Sequence, residues 1–364
     1  MTPARRWCIV AAGVALVIGV PLGLQAVPAD DRPLTAAQLL VRIQASSNHA
    51  YSGYVETLGT LQLPVADRFT DVGSLFGDRT RMRVWWRSDA DWRVDKITTT
   101  GETDLYHENS ETTTWDYERN EVTLSRDPEV RLPRTADLVP PELTARLLED
   151  VRSDEVTRIG AARVAGVDAI GLRVSPAEPQ SSIDHVDIWA DPQTGVPLRV
   201  QVYADNATSA AFTSEFMSFS PDTPDRARTR FVPPPDSDIS YNDVLDIADA
   251  ANQFASSAPP ARLAGLTRST DTPLRAVGLY GAGVTRLMVV PLWDRAARPL
   301  REQLERTPGV RVVEEGDLLA VGPLTVLLTQ AESCDAGWLI AGTVTERTVL
   351  TAAHDLATSA RSLR

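Results

Sequence analysis

Residues 187–203, "DIWADPQTGVPLRVQVY", decide the fold. Counting from Val186, the residues Val186, Ile188 and Ala190 fall on one side of an extended chain, and Leu198, Val200 and Val202 fall on the matching side of its return. His185, Asp187, Arg199 and Gln201 fall on the other side. A period of two is the signature of a strand whose faces meet different surroundings. Asp191-Pro192 suits the start of a type I turn, and Gly195 offers the positive φ that closes a short hairpin loop. The stretch therefore predicts an antiparallel hairpin with one apolar and one wet face. A sheet built from such hairpins must cover its apolar side.

Working outward, the same pattern recurs. "RMRVWWRSDADWRVDKI" places Met82, Val84 and Trp86 on one face, with Arg81, Arg83, Trp85 and Arg87 on the other. "TDLYHE", "TTTWDYE" and "EVTLS" continue a meander, and "YSGYVETLGTLQL" precedes it. "TRIGAARVAGVDAIGLRVSP" and "SAAFTSEFMSFSP" flank the opening hairpin, and three successive prolines, Pro233–Pro235, exclude a helix or central strand there. The helices available are few. Thr35-Ala-Ala-Gln38 is a capping-box pattern ahead of Leu39, Leu40 and Ile43, which predicts a helix over 36–46. Pro140-Pro141 opens a second one with Leu143, Leu147, Leu148 and Val151 in a stripe. Residues 64–78 read either as a short amphipathic helix with Phe69, Val72 and Phe76 on one face or as an apolar loop. Short helices over eight or more strands leave apolar surface that mobile segments cover, or that a guest occupies.

Residues 236–272 read as a linker containing a possible helix over Tyr241–Phe254 and the Ser/Ala/Pro-rich "ASSAPPARLAG". A smaller unit, residues 273–364, follows in the order strands, helix, strands, helix, which predicts a compact α+β domain.

The chain has 364 residues, 43% of them apolar, and a net charge of −13. That balance excludes a nucleic-acid partner, which needs a basic surface to neutralise phosphates. Cys8 and Cys334 lie too far apart in the chain to suggest a disulfide framework or a zinc motif. Arg5 and Arg6 precede the apolar run Trp7–Val27, and Asp30 and Asp31 follow it. This charge asymmetry places residues 1–29 as a membrane anchor or signal peptide and the rest outside the cytoplasmic membrane. A retained anchor is the expectation. The alternative is a signal peptide cut near Val27-Pro28-Ala29, which leaves a secreted chain.

Convergent chemistry is not visible. His185 and Asp187 share a strand face without a glycine-flanked serine. His107, Glu108 and Glu111 fall where a hairpin turn is expected, so they read as a solvated loop rather than as metal ligands. His354-Asp355 are neighbours on the last helix and face different ways. No catalytic residue, metal site or cofactor is expected. Arg81, Arg83 and Arg87 read as the solvent face of their strand, with anionic headgroups as the functional alternative, and Trp85 among them suggests an interface.

Three motifs in order carry a family resemblance: Val164-Ala165-Gly166-Val167-Asp168-Ala169, then a strand ending at Pro176, then Trp189-Ala190-Asp191-Pro192-Gln193-Thr194-Gly195-Val196-Pro197-Leu198-Arg199. This run resembles the periplasmic sigma-E regulatory proteins of the MucB/RseB type, which share a fold with the LolA-like lipoprotein carriers. "GLYGAGVTRLMVVPL" with "PLREQLERTPGVRVV" is similar to the second domain of those regulators. The resemblance implies an antiparallel curved half-barrel over residues 32–235, covered by short helices, that binds an acyl chain or a lipoprotein. It also implies a second domain that docks an anti-sigma factor. Under that reading the apolar lining would be Leu61, Phe69, Phe76, Val84, Trp86, Leu143, Leu147, Val186, Ile188 and Val200. The expected function is a non-enzymatic lipid- or lipoprotein-binding regulator of an envelope-stress pathway. Two rivals are a carrier or accessory subunit serving a membrane transporter, and a structural envelope protein with a filled sheet face.

Overall fold

The computed structural model describes residues 28–60, 75–128, 131–242, 244, 251–252, 258–269, 276–292, 294–330 and 337–362. Trp7–Val27, the expected anchor, lies outside them, as do Leu61, Phe69, Val72, Cys8 and Cys334. Among the described residues no helix is long and apolar enough to cross a membrane.

The first unit is one open sheet of twelve strands, curved into a half-barrel. The strands are β1 (Tyr51–Gly59), β2 (Arg79–Ser88), β3 (Asp91–Ile97), β4 (Glu102–Glu108), β5 (Glu111–Asp116), β6 (Glu121–Arg126), β7 (Val156–Val164), β8 (Val167–Val174), β9 (Ile183–Ala190), β10 (Pro197–Ala204), β11 (Phe212–Ser220) and β12 (Asp238–Tyr241). Their order is β12-β6-β5-β4-β3-β2-β1-β11-β10-β9-β8-β7. Two meanders of hairpins thus meet where β1 pairs with β11. The neighbours are antiparallel except β12, which runs parallel to β6 at the edge. The sequence reading ends the first sheet at the prolines Pro233–Pro235 and does not include β12, whose four residues are all exposed.

The hairpin of residues 187–203 forms as its alternation requires. Val200 pairs with Ile188 and Val202 with Val186. Gly195 adopts φ +79, and its N–H donates to the Asp191 carbonyl at 2.8 Å. The Asp191 carboxylate accepts from the backbone N–H groups of Gln193 and Thr194. A Cβ at residue 195 would collide with the Arg42 carbonyl, so the loop also needs glycine to let a helix approach.

That helix is α1 (Ala36–Gln44). Its capping box is complete: Thr35 Oγ1 accepts from the Gln38 N–H at 3.2 Å, and Gln38 Oε1 accepts from the Thr35 N–H at 3.0 Å. Leu39, Leu40 and Ile43 are its buried face. A 3-10 turn, Ala45–Asn48, finishes it, so the expected helix over 36–46 is tighter at its end. A second cover runs through the 3-10 turn Thr135–Leu138 into α2 (Pro140–Leu147), with prolines at the first helical positions as expected. Leu75 and Phe76 supply a third contact, Phe76 lying 5.4 Å from Phe212. The core is continuous between sheet and cover, with Val55, Met82, Val94, Leu138, Leu172, Leu198 and Phe216 at its centre.

Residues after the first sheet fold as a second unit. Helix α3 (Arg226–Thr229) still packs on β2 and β3 of the first sheet; the second unit opens with the hairpin β13 (Arg262–Leu263) and β14 (Leu266–Thr267). A six-stranded sheet follows: β15 (Gly278–Ala282), β16 (Thr285–Leu292), β17 (Arg311–Val313), β18 (Gly316–Val321), β19 (Leu324–Thr329) and β20 (Gly337–Gly342). Helices α4 (Asp294–Arg306) and α5 (Glu346–Ser362) complete it, as the strand and helix order predicts. Helix α4 begins six residues before the expected Leu300 and contains Pro299. Within the expected linker 236–272, most of the possible helix over Tyr241–Phe254 lies outside the described residues, and described parts join the two units. Strand β12 joins the first sheet, and Leu263 and Leu266 enter the second core beside α5. The two units touch through Val284, which is buried in the first core, and through Arg286, which reaches Glu149 and Asp150 at 3.1 and 3.0 Å. Backbone bonds from Ser182 to Thr343 and from Thr345 to Gln180 add to the seam.

Candidate functional site

The concave face of the first sheet is the candidate site. Cross-strand register stacks its aromatic residues: Tyr51 pairs with Trp86, Trp86 with Trp92, and Trp92 with His107. Their rings form a ladder with centroids 5.9, 5.1 and 5.1 Å apart and nearly parallel planes. Arg134 lies over Trp92 at 5.1 Å. The ladder grades from an apolar end to a polar one, where His107 Nδ1 meets Thr112 Oγ1 at 2.9 Å. His107 is thus not in a solvated turn: it faces inward from β4, and burial lowers its pKa. Glu108 and Glu111 face the other way, so the three residues share no site.

Of the expected lining residues, Val84, Val186, Ile188 and Val200 are each 0% exposed, and Trp86 is 3% exposed. Phe76, Leu143 and Leu147 are partly buried at the margin of the same core. These described residues belong to, or pack against, one core cluster.

The cover from 131 to 148 is held unevenly. At its start Arg131 donates two bonds to Asp137, at 2.6 and 2.8 Å, and Arg146 adds another at 2.6 Å. Burial opposes ionisation of Asp137, but these guanidinium groups outweigh it and lower its pKa. Arg134 makes a matching pair with Asp127 at 2.7 and 2.6 Å. Arg146 belongs to α2, so its bond fastens the helix to the base as well. Thr144 Oγ1 is buried without a hydrogen-bond partner, and so are Thr57 Oγ1 and Tyr51 Oη on β1. Burial, with Asp89 close by, pushes Glu142 up to about 7. Burial first, then Glu142 and Asp89, raise the Tyr51 phenol well above its usual range. Each orphaned buried hydroxyl costs about 1–3 kcal/mol.

The opposite, convex face corrects the picture of a wet side. Arg81 pairs with Glu56 at 3.2 Å, Arg83 with Asp95 at 3.4 Å and with Glu102, and Arg87 with Asp91 at 2.9 Å. Arg93 reaches Asp95 at 2.6 Å and Asp104 at 2.7 Å, and lies between Trp85 at 5.0 Å and Tyr106 at 4.7 Å. Trp85 is therefore half-buried as a platform for guanidinium groups. Asp95 and Asp104 are 0% and 1% exposed. Burial and the neighbouring Asp95 push Asp104 up to about 8. Asp95, Glu102 and Asp104 bring ligand atoms within 4.8 Å of one another. Arg83 and Arg93 already pair with all three carboxylates, so the set reads as a salt-bridge lattice and not as a metal centre. Alternation alone missed this lattice; Asp95 and Asp104, placed inside strands, were its only trace in the sequence.

His185 and Asp187 share the convex face as expected, but Asp187 is 4% exposed and is held by Arg173 at 2.6 and 2.7 Å. His185 contacts Asp184 and Asp187 and stacks on Tyr203 at 4.3 Å. None of these partners is a serine or cysteine nucleophile.

No protein-family model matches the chain. No curated protein matches it either. Among solved structures, the chain is similar to MucB in complex with MucA(peri), at 16% identity over 87% of this chain and 97% of that one, with a TM-score of 0.47. The MucA/MucB complex of Pseudomonas aeruginosa gives 17% identity over 87% and 96%, with a TM-score of 0.48. A LolA superfamily protein from Nitrosomonas europaea gives 12% identity over 54% and 98%, with a TM-score of 0.23.

Proposed function

We propose that this chain is a non-enzymatic, extracytoplasmic binding protein that takes an acyl chain or a lipidated polypeptide onto the concave face of its first sheet. The second unit would pass occupancy to a membrane-linked partner, such as an anti-sigma factor. The observation that supports this most lies at α2: Arg146 ties the helix to Asp137, while its own buried Thr144 hydroxyl, like those of Thr57 and Tyr51 on β1, has no hydrogen-bond partner. Lifting α2 would expose those polar atoms to water, which offsets part of the cost of opening. It would also uncover Val84, Trp86, Val186, Ile188 and Val200, with Phe76, Leu143 and Leu147 at the lip. Leu61 and Phe69 belong to the same proposal from the segment that joins β1 to β2. Covering an acyl chain there is worth about 25 cal/mol per Å².

A second reading has its own support. Lining positions at 0% exposure favour a structural protein whose sheet face needs no guest. Gentle purification from native membranes, solvent extraction and mass spectrometry separate the two. Bound acyl species, together with saturable uptake of a fluorescent fatty acid, are expected for the binding protein. Absence of both leaves the filled-core reading. Co-purification of an anti-sigma factor supports the regulator, and recovery of a membrane transporter instead makes the chain a carrier or accessory subunit.

A further inference from the structure

The convex face carries a cleft of about 440 Å³ that lies away from the apolar core. Its floor is Tyr106 and Phe231, whose rings lie 4.9 Å apart, with Thr113 and Leu124 beside them. Its mouth is the β4–β5 turn, Glu108-Asn109-Ser110-Glu111. Glu108 and Glu111 are direct partners across that turn. Like charges placed opposite one another weaken a hairpin, and this one keeps both. Glu108 has a weak offset in Arg226 at 3.3 Å, a pair 70% and 59% exposed. Glu111 has no ion-pair partner within 4 Å among the described residues, and Arg126 stands opposite it on β6. One face of Tyr106 is taken by Arg93 at 4.7 Å, while no cation lies over Phe231 among the described residues.

We propose that this cleft binds an organic cation, a guanidinium or alkylammonium group, with its stem against Phe231 and Tyr106 and its charge between Glu108 and Glu111. The size suits one such group, since small-ligand clefts begin near about 300 Å³. An aromatic floor with carboxylates at the rim is the arrangement that attracts an organic cation through both ring and charge. A bare metal ion would find only two exposed carboxylates and an apolar floor, too few oxygen ligands for a hard cation. The net charge of −13 raises the local concentration of cations around the whole chain. This site is independent of the concave face, so it stands or falls separately from acyl binding.

Isothermal titration of the full chain in detergent at low salt tests it. The probes are N-acetyl-argininamide, N-acetyl-lysinamide, spermidine and the neutral isostere N-acetyl-citrullinamide. Saturable binding of the capped amino acids or spermidine, weakened by salt, is expected, with none for the citrulline compound. The capped amino acids and spermidine separate a polypeptide source of the cation from a free polyamine. The double substitution E108Q/E111Q should weaken binding at least about tenfold, with the unfolding midpoint little changed because both side chains are exposed. F231L should weaken it while leaving the hairpin intact. Equal binding of the citrulline compound, indifference to E108Q/E111Q, or no saturation up to about 10 mM would overturn the proposal.

Discussion

Asp104 shows how a single residue reads in sequence and in space. In the strand it occupies a position on the convex face, where solvent is expected. In the fold it is 1% exposed, beside Asp95 and against Arg93. Its raised pKa has a definite consequence. Below the ordinary carboxylate range, near pH 4, folded and unfolded chains both hold the proton. Between there and about 8 the folded chain keeps a proton that the unfolded chain has lost. This contribution therefore falls as pH rises, by up to about 1.4 kcal/mol per pH unit. Denaturant titrations followed by tryptophan fluorescence from pH 5 to 9 should show that slope, and D104N should flatten it. Asp137 acts in the opposite sense: its lowered pKa makes a contribution that is lost on acidification through the folded value. Removing Arg93 by R93A leaves two buried carboxylates without their shared counter-charge, an expected loss of about 3–5 kcal/mol in the same titrations.

Among the elements, the two covers differ in how they are fastened. Helix α1 has its capping box, three buried apolar residues and a bond from Arg42 to the Pro192 carbonyl at 2.6 Å. T35A should cost about 1 kcal/mol of stability and leave ligand uptake alone. Helix α2 lacks a side-chain cap and buries the unpartnered Thr144 hydroxyl. T144V keeps the shape and removes the orphan, so it should stabilise the fold by about 1 kcal/mol or more. If α2 is the lid, the same change slows fatty-acid uptake measured by stopped-flow fluorescence; unchanged uptake with raised stability would remove α2 from that role. The hairpin loop is similarly testable, since G195A places a Cβ at φ +79 against the Arg42 carbonyl. A loss of about 1–3 kcal/mol is expected by thermal melting.

For the molecule as a whole, the seam between the units is narrow and specific. Val284 at the β15–β16 turn is the second unit's residue in the first core, 4% exposed. Charging it by V284D should uncouple the units. Calorimetry would then show two transitions where the parent shows one, with far-ultraviolet circular dichroism preserved. A single unchanged transition would mean that the backbone bonds around Ser182 and Thr343 carry the coupling. The charge distribution also acts at this scale. Most convex-face arginines are committed to acidic neighbours, so the sheet offers little free cationic surface for anionic headgroups, the alternative considered for Arg81, Arg83 and Arg87.

The sequence by itself determined the elements. Period-two alternation specified the hairpins and which residues point inward, because a strand's faces follow from its geometry alone. Cap and proline chemistry marked α1 and α2, because the unsatisfied N–H groups of a helix start are met locally. Tertiary structure alone decided what each face meets. Val186, Ile188 and Val200 were legible as apolar and inward, but not as 0% exposed beneath a cover. The Arg83–Arg93–Asp95–Asp104 lattice, the edge strand β12 and the cleft at Phe231 were not legible, since each joins residues from separate strands or segments. Contacts of that kind depend on strand order and on which segment folds back over the sheet, and neither leaves a periodic mark in the chain.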